Sequence, residues 1–153
     1  MNKIRKALIS VSNKKDLKIL VNALSKYKID IISSGGTYKK IRRLGFKCVE
    51  ISKFTNTPEI LNGRVKTLHP KIYGGILNKR QDKIHCREIK KNNYENIDLI
   101  VANFYPFEDT LLKKSDHNKI IENIDIGGPT MVRAAAKNYN DVVVISNPNQ
   151  YQR

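Results

Sequence analysis

DLIVANFY, residues 98–105, decides the fold. From Leu99 to Ala102 no polar side chain interrupts it, so neither face of an extended segment is left for water. Strands buried on both faces belong to parallel sheets covered by helices. Four more runs share this nearly continuous apolar character: KALISV (6–11), IDIISS (29–34), CVEIS (48–52) and VVVIS (142–146). Helical patterns lie between them. In KKDLKILVNALSKYK, Leu17, Leu20, Val21 and Leu24 follow helical spacing. TYKKIRRLG predicts a short helix closed by Gly45. GGPTMVRAAAKN predicts a helix that tolerates Pro129 in its first turn and leads into the last strand. The alternation gives an α/β domain with a mostly parallel sheet of about five strands and helices on both faces. Residues 53–97 form the least regular part, where functional loops are expected.

At 153 residues the chain suits one domain spanning 1–153, with no repeats or low-complexity linker. It is 40% hydrophobic, enough for a core. A net charge of +15 suggests an anionic partner. The lysines are scattered, however, with no arginine-rich stripe and no aromatic platform for bases. A solvated, lysine-heavy surface explains the charge better than a nucleic-acid interface, and any DNA binding should be weak and lost in moderate salt. Cys48 and Cys86 lie far apart without CxxC spacing, which excludes a disulfide framework and a zinc site and fits a reducing, cytoplasmic compartment. No run has the length of a signal peptide's apolar region or a membrane span, so no membrane partner is expected. The sequence stops at SNPNQYQR, just past a strand and before an expected helix, and so reads as a domain truncated at its C-terminal end.

Five strings carry chemistry. SSGGT (33–37) follows a strand and precedes a helix, where backbone N–H groups of Gly35, Gly36 and Thr37 and the hydroxyl of Ser34 can hold a phosphate. An ordinary glycine turn with Thr37 as N-cap is the competing reading. SVSNKKD (10–16) also ends a strand, placing Ser12 and Lys14 at the same carboxyl edge. In GRVKTLHP (63–70), Arg64 and Lys66 alternate along an extended segment and so point the same way. His69 lacks a second ligand at metal spacing and reads as a loop-packing residue before Pro70. NFYPF (103–107) offers Asn103 and Tyr105 at the sheet edge, while aromatic packing is the competing account of Phe104 and Phe107. In IDIGGPTMVRAAAKN (124–138), Asp125 precedes a helix start, where a carboxylate is favoured, and Lys137 lies towards the helix's other end.

Taken together and in this order, these strings resemble the IMP cyclohydrolase domain of the bifunctional purine biosynthesis proteins, from about residue 4 to residue 151. The resemblance implies a methylglyoxal-synthase-like fold. It also implies closure of 5-formamidoimidazole-4-carboxamide ribonucleotide (FAICAR) to inosine monophosphate (IMP) with loss of water, the final step of de novo purine biosynthesis. By this resemblance Ser12, Lys14, Ser34, Gly35, Gly36, Thr37, Arg64 and Thr67 meet phosphate and ribose. Lys66, Asn103, Tyr105, Asp125, Ile126, Gly127, Gly128 and Lys137 surround the reaction centre, with Phe104 among the substrate contacts. Lys66, Tyr105, Asp125 and Lys137 are the catalytic set. Phe104, where an aliphatic residue is common, and Pro129 are mild departures. The resemblance further implies a homodimer, no cofactor or metal, and a transformylase domain that this chain lacks.

The ring closure joins groups already on one imidazole, so little proximity entropy remains to be gained. What is hard is electronic: a poor amide nucleophile, a poor formamide electrophile and a departing hydroxide. The expected division gives the oxyanion to Lys66 with N–H groups of Gly127 and Gly128. Asp125 takes the amide proton, and Tyr105 with Lys137 relays protons to the leaving oxygen. Three rivals remain: a regulatory nucleotide-binding module of the same fold, a methylglyoxal synthase and a nucleic-acid-binding domain. The joint presence of Lys66, Asp125 and Lys137 counts against the first, and KTLHP with IDIGGPT against the second.

Overall fold

The computed structural model describes residues 3–105, 107–112 and 116–152, so Pro106 of NFYPF and the extreme ends of the expected 1–153 domain lie outside it. Five parallel strands form one sheet: β1 (Lys6–Val11), β2 (Asp30–Ser33), β3 (Val49–Glu50), β4 (Leu99–Asn103) and β5 (Val143–Ile145). Their order is β3-β2-β1-β4-β5. The helices are α1 (Leu17–Lys26), α2 (Gly35–Arg43), α3 (Ile51–Thr55), α4 (Pro70–Leu77), α5 (Lys83–Lys91), α6 (Phe107–Leu112), α7 (His117–Glu122) and α8 (Gly127–Lys137).

Strand periodicity divides the core in two. Ala7, Ile9 and Val11 face one way and pack with Leu17, Leu20, Val21 and Leu24 of α1, Ile41 of α2 and Tyr151. Leu8, Ile32, Ile100 and Ala102 face the other way, against Ile51 and Phe54 of α3, Ile72 and Ile76 of α4, and Met131, Ala134 and Ala135 of α8. Each fully buried Leu or Ile contributes roughly 1.5–3 kcal/mol, which makes these two layers the main source of stability. Gly45 closes α2 as expected. With φ of +87°, it lets its own N–H reach Arg42 C=O at 3.0 Å and Phe46 N–H reach Ile41 C=O at 3.3 Å.

Two expectations need correction. The strand expected at 48–52 is only Val49–Glu50, because Ile51 and Phe54 enter the core three apart, on a helical turn. The irregular stretch 53–97 in fact holds α4 and α5. His69 caps α4 by accepting from Lys71 N–H at 3.1 Å through Nδ1, and Pro70 fills the first helical position. Asp82 caps α5 through the N–H groups of Ile84 and His85. Beyond β5, a 3-10 turn, Pro148–Gln150, carries a capping box at Asn147.

The amino edge of the sheet is clamped by Asp98. Its carboxylate accepts from Arg5 N–H at 2.7 Å and Lys6 N–H at 2.9 Å and pairs with the Arg80 guanidinium. Both ion-pair side chains are nearly buried. At the carboxyl edge, connections leave β1 towards β2 on one side, while β4 and β5 lie on the other. This divergence of the strand order opens a crevice there.

Candidate active site

A cavity of about 680 Å³ occupies that crevice. Every expected site residue lines it except Phe104 and Lys137. Its floor is cationic. The Lys14 ammonium lies beside Gly36, 3.9 Å from where a Cβ would stand, and the Lys66 ammonium lies 3.8 Å from the equivalent point on Gly35. Gly35 has φ of +51°, a left-handed conformation suited to glycine, and starts α2. Two ammonium groups thus converge on a glycine turn at a helix N-terminus, a setting that favours a phosphate.

Two hydroxyls near this floor are structural. Thr37 Oγ1 accepts from Val11 N–H at 3.2 Å and donates to Val11 C=O at 2.9 Å, pinning α2 to the end of β1. Ser33, buried like Thr37, donates to Ile9 C=O at 2.7 Å. Thr37 therefore serves the cavity through its backbone. Asn103 likewise exchanges two hydrogen bonds with the backbone of Asn13, so it shapes the loop that carries Lys14. Lys14 in turn donates to Ser12 C=O at 3.2 Å.

The opposite wall is the start of α8. Asp125 Oδ1 accepts from Gly128 N–H at 3.0 Å, which fixes the carboxylate and occupies a donor expected for an oxyanion. Both glycines are needed for close approach. A Cβ on Gly127 would lie 2.5 Å from Thr67 Oγ1, and one on Gly128 would lie 2.7 Å from Asp125 Oδ2 and 3.1 Å from Phe104. Phe104 thus stands behind Gly128 but stays 44% exposed, and it is neither a cavity-lining residue nor part of a packed aromatic cluster. Tyr105 and Ile126 line the cavity and are about half exposed. Lys137 is exposed in the last turn of α8, about 15 Å along the axis from Gly127 at 1.5 Å per residue, and does not reach the cavity of its own chain.

The segment 63–70 is not extended as expected. Ile60 and Val65 form an antiparallel bridge around a 3-10 turn in which Leu61, Asn62 and Gly63 all have positive φ. Arg64 leaves this turn towards α7, where its Nε and Nη2 form a fork on the carboxylate of Glu122. That hydrogen bond and charge hold the Glu122 carboxyl below its usual range. Asn62 and Gly63 on one lip, and Ile121, Glu122, Asn123 and Ile124 on the other, line the cavity without having been singled out from the sequence. Ser10 and Val11, deeper in, were also missed. The glycine turn and IDIGG pointed to neighbouring positions, whereas nothing local marks Glu122 as a partner of Arg64. His69 stands outside, bonded through Nε2 to Thr57 Oγ1 at 3.2 Å, which agrees with its loop-packing reading.

Among the described residues no group of three or more His, Cys, Asp or Glu is placed to hold a metal ion, and no helix is long and apolar enough to cross a membrane. Residues 16–130 match the family model of the MGS-like domain. The bifunctional purine biosynthesis protein PurH of Acetivibrio thermocellus is 52% identical over 97% of this chain and 29% of its own length. PurH of Prochlorococcus marinus strain MIT 9312 is 51% identical over 95% of this chain and 28% of its own. The chain therefore spans less than a third of these curated relatives. The crystal structure of ForH superposes with a TM-score of 0.85 at 32% identity, covering 97% of this chain and 74% of that one.

Proposed function

The chain belongs to the MGS-like domain family, and on that premise we propose that its cavity is the active site of an IMP cyclohydrolase, which closes FAICAR to IMP in purine biosynthesis. One observation carries the reading. A single cavity joins a glycine-turn phosphate cradle with Lys14 to a second ammonium, Lys66, and to a carboxylate, Asp125, held on the facing wall. The similarity to bifunctional purine biosynthesis proteins across nearly the whole chain supports a place in purine biosynthesis.

The phosphate sits at Gly35 and Gly36 against Lys14. Asp125 keeps Oδ1 on Gly128 N–H and takes the carboxamide proton with Oδ2 as the amide nitrogen bonds to the formyl carbon. The formyl oxygen gains the negative charge, and Lys66, at the junction of Gly35 and Gly63, neutralises it. Tyr105 donates a proton to that oxygen to make a hydroxyl. Asp125 returns the proton it took, so that the hydroxyl leaves as water. The former formamide N–H proton passes back to the Tyr105 phenolate as the ring C=N bond forms. Gly128 N–H is already engaged and gives no help to the oxyanion. Lys137 enters this scheme only from another copy of the chain, in the homodimer that the sequence resemblance implies. No metal or organic cofactor takes part, since nothing is oxidised and no group carrier is needed. The reaction is that of a hydrolase on a cyclic amidine, run towards ring closure.

The test is ultraviolet absorbance of purified protein with FAICAR, without metal or folate, beside a thermal shift with IMP. Ring closure above the uncatalysed rate, lost in Lys66→Ala, is expected. Stabilisation by IMP without turnover would replace the enzyme by a nucleotide-binding module.

A further inference from the structure

The Arg64–Glu122 pair is a contact across the cavity's mouth that the proposed chemistry does not use. Arg64 belongs to the turn built on Ile60–Val65 and Glu122 ends α7, fifty-eight residues away, and both line the cavity. A guanidinium has five N–H donors in a fixed plane. The fork on Glu122 uses two of them, Nε–H and one on Nη2, and leaves three. Without that carboxylate, a side chain that is 63% exposed would sample many rotamers, and holding it for a ligand would cost conformational entropy.

We infer that Glu122 is a positioning residue, which fixes Arg64 so that its remaining donors face a bound anionic ribonucleotide and draws the two lips of the cavity together. The inference rests on the nucleotide-binding reading above. An exposed pair is weak enough to open for ligand exchange and to re-form on closure. Glu122 touches no reacting atom, so its loss acts on binding rather than on the chemical step.

The experiment is a double-mutant cycle with Glu122→Gln and Arg64→Ala, read by calorimetric titration with IMP and by steady-state kinetics with FAICAR. Glu122→Gln is expected to raise Kd and KM about two- to fivefold at unchanged kcat, the size of an exposed ion pair. Glu122→Asp should restore most of the loss. The double variant should bind no worse than Arg64→Ala alone, the signature of two residues acting as a unit. Melting temperatures should stay within the scatter of the wild type. Tighter IMP binding by Glu122→Gln would mean that the carboxylate competes with the ligand, and strictly additive losses would mean that it acts elsewhere. Either overturns the inference while leaving the nucleotide site intact. Failure of the wild type to bind IMP overturns both.

Discussion

The side-chain amide of Asn103 pairs with the backbone of Asn13 as one strand pairs with another. It accepts from the N–H at 2.8 Å through Oδ1 and donates to the C=O at 2.9 Å through Nδ2. The residue at the end of β4 therefore sets the loop that follows β1, and with it the place of Lys14. Asn103→Ala removes two hydrogen bonds of about 0.5–1.5 kcal/mol each. The expected result is IMP binding weakened roughly tenfold, read by titration calorimetry, with a far-UV spectrum like that of the wild type. Unchanged affinity would show that the loop holds its shape without the amide.

Asp125 holds the Gly128 N–H, and substitution can separate that role from the base role proposed for it. Asn at this position can still accept from Gly128 N–H, but it cannot take a proton. Asp125→Asn should lower turnover about 10²–10⁴-fold, the usual worth of a general base, with little change in melting temperature. Asp125→Ala should lose turnover and also destabilise the start of α8. Equal melting temperatures for both variants would remove the capping role.

The Asp98–Arg80 pair at the amino edge makes a prediction about stability. Asp98 is 6% exposed and also holds the N–H groups of Arg5 and Lys6. Removing one partner of a buried, hydrogen-bonded pair leaves the other charge uncompensated. Arg80→Ala should therefore cost about 3–5 kcal/mol in urea unfolding. Here β1 gains its backbone ties to Asp98, so a loss below about 1 kcal/mol, typical of a surface pair, would contradict the clamp.

The two thiols differ in their surroundings. Burial pushes the Cys48 thiol up to about 12, whereas Cys86 is exposed. At pH 8 roughly one Cys48 in 10⁴ is thiolate, the form that alkylates. Iodoacetamide followed by mass spectrometry should label Cys86 first. Cys48 should react only as pH rises towards 12 or once the fold opens. Equal labelling of both in native protein at pH 8 would refute this.

How much of this was legible depended on whether the signal was local. β1 matches its apolar run end to end, and α1 buries the four residues that its spacing picked out. α5 was missed because it buries none of its residues and carries few apolar side chains among its charges. α4 was missed because Gly74 and Gly75 interrupt its pattern; Gly75 is required where a Cβ would lie 2.4 Å from Glu95 C=O. In the site, glycine turns and strand ends marked the cradle. The turn at 61–63 was hidden because Leu61 and Asn62 take positive φ without glycine's freedom, and only the bridge at Ile60–Val65 explains it. Arg64 met Glu122 through a contact that no local pattern encodes.

The place of β1 in the sheet has a consequence for how the site comes into being. β1 is the first strand made, yet its second neighbour is β4, and Asn103 reaches Asn13 across ninety residues of chain. Distant pairings of this kind form late, because a long loop must close before the contact can repay it. A nascent chain leaving the ribosome holds Lys14 and the glycine turn early but has no facing wall until α8 has emerged. The complete cavity is thus withheld until nearly the whole domain has been synthesised, and no shorter nascent fragment carries both of its walls.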